Sequence, residues 1–303
     1  MLNLDVRLVK EVDAVGAILF FANFSKAFVK SGKEKCKFII DDGQFGSISI
    51  KEMKLLKLAE FLGIAIVQDN DEQSSLWGST QQGSAAMVNL LPVGWYSRTG
   101  DSLDAILLIP EPSQAMPRKE IIEKTRYSLD EIFDALEGTG FIPEQLMLMF
   151  TEMVKNSVDH SGSRSAIGIH VSRVHQRDAR LTFAVCDLGD GLVRTVRNFA
   201  KASLDPKDRG IAVHGGVTEL YKWAFEHGNT TKPSNGTNHG MGMGIIRDVA
   251  NTASADIYLL DAESVLHVSS LPDDNSHSMM RRATYPTARS HCFGYFGEIK
   301  INT

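Results

Sequence analysis

A chain of 303 residues, 43% hydrophobic and 23% charged, has the composition of a folded globular protein long enough for two domains, which excludes extensive disorder. Its formal charge of −5 gives no overall attraction to nucleic acid or an acidic membrane surface, so neither is expected as a partner. The longest apolar run, residues 14–24, is well short of the ~20 residues of a bilayer span.

Taken in chain order, "MLNLDVRLVKEVD" lacks the basic stretch and cleavage site of a signal peptide, and Cys36, Cys186 and Cys292 show no C-x-x-C spacing. Free thiols in a cytoplasmic protein are the expectation. The helix-like "VDAVGAILFFANFSKAFVKSG", the strand-like "CKFIIDD", the helix-like "SIKEMKLLKLAEFLG" and the apolar "IAIV" alternate, followed by the loop-like "DNDEQSSLWGSTQQGSAA" and a strand, "DAILLIP". That alternation predicts a small α/β domain over 1–112. "IPEPSQAMPRKE" then places three prolines close together, which resists helix interior and central strand alike and marks a boundary.

Beyond it, "RKEIIEKTRYSLDEIFDALEG" and "PEQLMLMFTEMVKNSVDHSG" read as amphipathic helices. "SAIGIHVSRV" and "RLTFAVCDLGDG" read as paired strands, "GGVTELYKWAFEHG" as a helix, and "ADIYLL", "SVLHVSS" and "FGYFGEIKIN" as closing strands. Between these lies the polar, glycine-rich "NTTKPSNGTNHGMGMG".

Three motifs carry chemistry. In "TEMVKNSVDHSG", helical spacing gathers Glu152, Asn156, Asp159 and His160 on one side, while Phe150, Val154 and Val158 point to the other. The Asn156 carboxamide oxygen is a neutral, hard ligand suited to Mg²⁺, and Glu152 could take a proton from an attacking water. In "CDLGDGL", Asp187 leaves a strand able to accept a hydrogen bond from an exocyclic amino group, and Gly189 and Gly191 let a flat ring approach the backbone. In "NHGMGMGIIRDV", Gly240, Gly242 and Gly244 precede an apolar helix whose first N–H groups suit a phosphate. Each alone has a plainer reading: a solvated helix face, a flexible turn, a loop. The Rossmann βαβ context and the G-x-x-x-x-G-K-[ST] pattern are both missing.

In this order, Glu-x-x-x-Asn, Asp-x-Gly-x-Gly and Gly-x-Gly-x-Gly resemble the N, G1 and G2 boxes of the GHKL ATPases, the superfamily of gyrase, the heat-shock chaperone, histidine kinases and MutL. The resemblance implies a GHKL ATP-binding domain over 119–303, with the Bergerat fold: helices on one face of a mixed, mainly antiparallel sheet, in an α/β architecture. It also implies ATP and Mg²⁺ as cofactors, with Asn156 on the metal, Asp187 on the adenine amino group and Gly189 and Gly191 in the adenine pocket. Gly240, Gly242 and Gly244 would wrap the phosphates. The stretch from Gly228 to His239, with Thr230 and Thr231, corresponds to the mobile ATP lid, and Glu152 to the water-activating base. Asp159 and His160 are supporting residues, and the closing strand signature of the family is not evident in "SHCFGYFGEIKIN".

Within the superfamily, no histidine precedes His160, so self-phosphorylation on an upstream helix is not expected unless a separate protein supplies the acceptor, nor is a gyrase-type transducer domain expected beyond the third box. The wording of the first box is similar to small regulatory members related to anti-sigma serine kinases, and "KFIIDDGQFGSISIKEMKLLKLAEFLGI" is faintly similar to STAS-type modules, which implies a regulatory or partner-binding domain over 1–112, with a generic α/β domain as the alternative. The expectation is a regulatory protein that hydrolyses ATP or transfers its γ-phosphate to a protein serine or threonine, acting with a protein partner. A nucleotide-gated switch without turnover is the alternative, and a homodimer stays open.

Overall fold

The computed structural model describes residues 2–5, 12–19, 36–39, 66–67, 95–99, 102–134, 143–160, 164–175, 178–226, 228–231, 240–253, 255–261, 265–268, 280–283 and 293–302. Strands β1 (Leu2–Asp5), β2 (Cys36–Ile39) and β3 (Ile66–Val67) form a parallel three-stranded sheet. The predicted helix and loop at 49–63 and 69–86, and most of the helix expected from residue 12 onward, lie outside the described residues; its first part, α1, spans residues 14–19.

The larger sheet is built from β4 (Trp95–Thr99), β5 (Ser102–Ile109), β6 (Ser165–His175), β7 (Asp178–Asp187), β8 (Asp256–Leu260), β9 (Val265–Val268), β10 (Met280–Ala283) and β11 (Phe293–Asn302). Its order is β10-β9-β8-β11-β7-β6-β5-β4, and every neighbouring pair is antiparallel. The expectation of a mixed sheet is corrected here: all its described pairings are antiparallel.

The sheet also crosses the expected boundary. "DAILLIP" forms β5, which pairs with β6 from Ser102↔Ser172 to Ile109↔Ser165 rather than with the N-terminal strands. An apolar run shows that a strand is buried on both faces but does not say in which sheet. In β5, Leu103, Ala105, Leu107 and Ile109 face the main core, while Ile106 and Leu108 are buried on the opposite side.

Over the first face lie α2 (Arg118–Asp134) and α3 (Pro143–His160), and the same core takes in side chains from α4 (Leu192–Ala202), α6 (Val217–Phe225) and α7 (Gly242–Thr252). Met147, Phe150, Val154 and Val158 recur at helical spacing on α3 and are buried in this core. Phe150 joins the layers, its ring centroid 5.6 Å from Phe133 of α2 and 4.9 Å from Phe183 of β7, the second pair edge-to-face. The short α5 (Pro206–His214) buries none of its side chains and is capped by Asp205, which accepts the Lys207 N–H at 2.8 Å.

The second face is not bare. Side chains alternate along β6, so Ile167 and Ile169 point into the main core and Gly168 points away from it. There a Cβ on Gly168 would stand 2.5 Å from the Ala14 carbonyl oxygen and 2.8 Å from Ile18 Cγ1 of α1. Asp104 Oδ1 accepts the Ala14 N–H at 2.9 Å and lies 3.0 Å from His170 Nδ1, which fixes α1 across β5 and β6. Helices on one face is thus the arrangement around the main core, with α1 added on the other.

Candidate nucleotide site

The α3 helix presents its polar side to a cavity of 390 Å³, a volume within the usual range for small-ligand sites. Glu152, Asn156, Asp159 and His160 line it from α3, and Asp187 and Gly191 from the end of β7. Gly240 and Gly242 close it from the start of α7, and Thr230 and Thr231 from the preceding loop. Motifs far apart in sequence therefore meet because α3, α7 and the β7 exit pack side by side.

Asp187 is buried, 3% exposed, and burial raises its carboxyl pKa to about 7; nearby Asp261 adds to the rise, while hydrogen bonds from the Gly189 N–H, at 2.8 Å, and the Ser157 side chain oppose it. Gly191 has φ 83°, and a Cβ there would stand 3.0 Å from Asp261 Oδ1. Asp261, 5% exposed, accepts the Val193 N–H at 2.9 Å and so ties off the first turn of α4.

The two glycine motifs contribute unequally. Gly189 holds Asp187 through its N–H but does not line the cavity. Gly242 does, and its bare Cα lets α7 approach α3, since a Cβ would stand 2.8 Å from Glu152 Oε2 and 3.6 Å from Asn156 Oδ1. Gly244 departs from the expectation: it lies inside α7, buried and away from the cavity. Two steps along a helix turn the backbone by roughly 200°, so Gly244 faces the core when Gly242 faces Glu152.

Asn156 is held by a residue that sequence reasoning missed. Its Nδ2 donates to Tyr295 Oη at 3.3 Å and Met243 Sδ at 3.4 Å, and Tyr295 Oη in turn donates to Met243 Sδ at 3.2 Å. Tyr295 is 1% exposed on β11, and burial pushes its phenol far above the usual range, so it stays neutral. With Nδ2 committed, Oδ1 is the atom that Asn156 turns to a ligand. The only signal was the aromatic in "FGYFGEIKIN", which an ordinary core strand would also carry.

Two cations sit among these acids. Lys155 Nζ lies 2.5 Å from Glu152 Oε1, and the Arg118 guanidinium grips both oxygens of Asp159, with Nη2 to Oδ2 at 2.7 Å. Both line the cavity. The hydrogen bond to Asp159, with the Asp159 and Glu152 charges, raises the Arg118 pKa against partial burial. At the lid, the Gly228 N–H donates to the Gly240 carbonyl at 3.0 Å, and Gly240 takes φ 64°. His160 Nδ1 lies 3.5 Å from Thr231 Oγ1. Residues 232–239 of the expected lid lie outside the described residues.

The profile of the family described as histidine kinase-, DNA gyrase B- and HSP90-like ATPase matches residues 142–278, the span that supplies Glu152, Asn156, Asp187 and the α7 glycines. This segment belongs to the GHKL ATPase superfamily. The GHKL assignment covers ATP binding by the domain in general terms. Among solved structures the chain is similar to the mycobacterial sensor histidine kinase MprB, at 13% identity over 53% of this chain and 72% of that one, with a TM-score of 0.27. A search of curated proteins returned no match. Arg118 and Tyr295 fall outside the matched GHKL segment. Among the described residues no helix is long and apolar enough to cross a membrane, and Cys186 is in no disulfide.

Proposed function

We propose that this GHKL domain binds MgATP and either hydrolyses it or passes its γ-phosphate to a serine or threonine of a protein partner. What supports the reading is the convergence of Glu152, Asn156, Asp187, Gly240 and Gly242 on one cavity. Asp187 would accept from the adenine amino group, with Gly191 beside the ring, and the α7 N-terminus would take phosphate through N–H groups that helix geometry leaves unused. Thr230 and Thr231 would close over them.

A magnesium ion fits the donor set. Asn156 offers one neutral oxygen, and no group of three or more His, Cys, Asp or Glu suited to a metal occurs among the described residues. That pattern suits a cation carried in by phosphates and touched by few protein atoms. When bound, the ion would neutralise phosphate charge; Asn156 would orient it, and Glu152 would hold the attacking oxygen and take its proton.

The Lys155–Glu152 contact at 2.5 Å favours a second reading, a nucleotide-driven switch without turnover, because the ammonium already occupies a carboxylate oxygen that would have to receive the proton of an attacking water. Tracing the γ-phosphate of labelled ATP decides between them. Release to water or transfer to a co-purified protein, lost in Glu152→Gln while ATP binding persists, supports catalysis. ATP binding with no phosphate movement supports the switch, and no ATP binding refutes both.

A further inference from the structure

Arg118 differs from the motif residues around the cavity. It comes from neither α3, the β7 exit nor the α7 region, but opens α2, ahead of the segment that matches the GHKL profile. Its side chain is 46% exposed, yet it lines the cavity, and its guanidinium is held by both carboxylate oxygens of Asp159, on α3 just beyond Asn156. The other cation in this corner, Lys155, shares α3 with its carboxylate partner. The Arg118 pair instead bridges two helices.

We propose that Arg118 is the residue that reads the terminal phosphate of the bound nucleotide, leaving Asp159 for it and so telling a triphosphate from a diphosphate. This rests on the nucleotide reading of the cavity and adds to it. A guanidinium presents a planar fork of donors that matches two oxygens of a phosphate as it matches a carboxylate, so the exchange replaces one two-point contact with another. The new partner carries more charge than Asp159, which favours the exchange. Arg118 can make it by side-chain rotation, being half-exposed at the cavity wall, while the Asp159 carboxylate, 9% exposed, stays in place.

Diphosphate gives no such exchange, because the phosphate that would compete with Asp159 is absent. The Arg118–Asp159 pair then persists, and with it the tie between the start of α2 and the end of α3. As α2 follows directly from the proline-rich segment after β5, the N-terminal side of the chain would register which nucleotide is present through the partner Arg118 keeps.

The experiment is calorimetric titration of the full chain with MgATP and MgADP, for wild type, Arg118→Ala, Arg118→Lys and Asp159→Asn. A charge-assisted two-point contact corresponds to about tenfold in affinity or more. Arg118→Ala is expected to lose about that much preference for ATP over ADP, with ADP affinity little changed. Arg118→Lys, which keeps the charge but loses the fork, should recover only part of the preference. Asp159→Asn, which weakens the competing grip, should increase it. An ATP-to-ADP affinity ratio in Arg118→Ala equal to that of wild type overturns the proposal while leaving the nucleotide reading intact. Equal losses for both nucleotides overturn it too, since they make Arg118 a general support of the cavity. Failure of wild type to bind either nucleotide overturns the proposal together with the reading on which it rests.

Discussion

Replacing Asp187 with Asn tests the site through stability as well as binding. The Asp187 carboxyl titrates at about 7 in the folded, nucleotide-free protein, chiefly because it is buried, whereas an unfolded chain lets it titrate near 3.9. Between these values the folded state keeps a proton that the unfolded state has lost, so this group's contribution is full below about pH 4 and fades as pH rises through about 7. Each pH unit in that window is worth about 1.4 kcal/mol, and from pH 5 to pH 7 the contribution falls by about 2–3 kcal/mol. Asn does not ionise and escapes the loss. In urea unfolding of nucleotide-free protein, the stability of Asp187→Asn relative to wild type is therefore expected to rise by about 2–3 kcal/mol between pH 5 and pH 8. Using the difference between the two proteins cancels every other titrating group. The same variant should lose most ATP binding, because an amide in this place offers a donor where the adenine amino group needs an acceptor. A stability difference that stays constant from pH 5 to pH 8 would refute the argument, since it would mean that the buried carboxyl is ionised throughout.

Three further outcomes rest on single contacts. Tyr295→Phe removes the hydroxyl that takes the Asn156 Nδ2 hydrogen, and is expected to cost about 1 kcal/mol in thermal unfolding and to weaken MgATP more than metal-free ATP in titration. Gly191→Ala puts a side chain at φ 83°, with its Cβ 3.0 Å from the Asp261 carboxylate, and should cost about 1–3 kcal/mol in urea unfolding. Gly168→Ala forces a Cβ to within 2.5 Å of the Ala14 carbonyl, so hydrogen exchange should show faster exchange in residues 14–19 and unchanged protection in α3.

Much of the site was legible because its chemistry fixes residue types at fixed spacing. Glu152, Asn156, Asp187, Gly240 and Gly242 were all expected, and all line the cavity. Gly244 was misplaced because a motif gives spacing along the chain and not rotation about the helix. Tyr295 and Arg118 were invisible for a different reason: each reaches the cavity through a contact across more than a hundred residues (Asn156 to Tyr295) or between separate helices (Asp159 to Arg118). The helix and strand patterns named beyond Pro117 all appear in the fold, because amphipathic spacing defines them, but α4, α5 and β10 were not among those patterns. What alternation could not assign was sheet membership, and β5 went to the wrong sheet because its burial on both faces suits a parallel α/β strand as well as an antiparallel one covered by α1.

The place of β11 between β7 and β8 sets an order on assembly. Phe293 pairs with Asp187 and Gly294 with Leu260, so the hairpin of β8 and β9 has no route to β6 and β7 until the segment around residue 300 exists. During synthesis, α3 and the Asp187 turn emerge long before their supporting strand, and Asn156 waits for Tyr295. Pairing across such a span is slow compared with local helix formation. The half-built sheet would meanwhile expose the edges of β7 and β8, the places where a nascent chain is most in need of protection. On the nucleotide reading of the cavity, the site is therefore complete only once β11 pairs between β7 and β8.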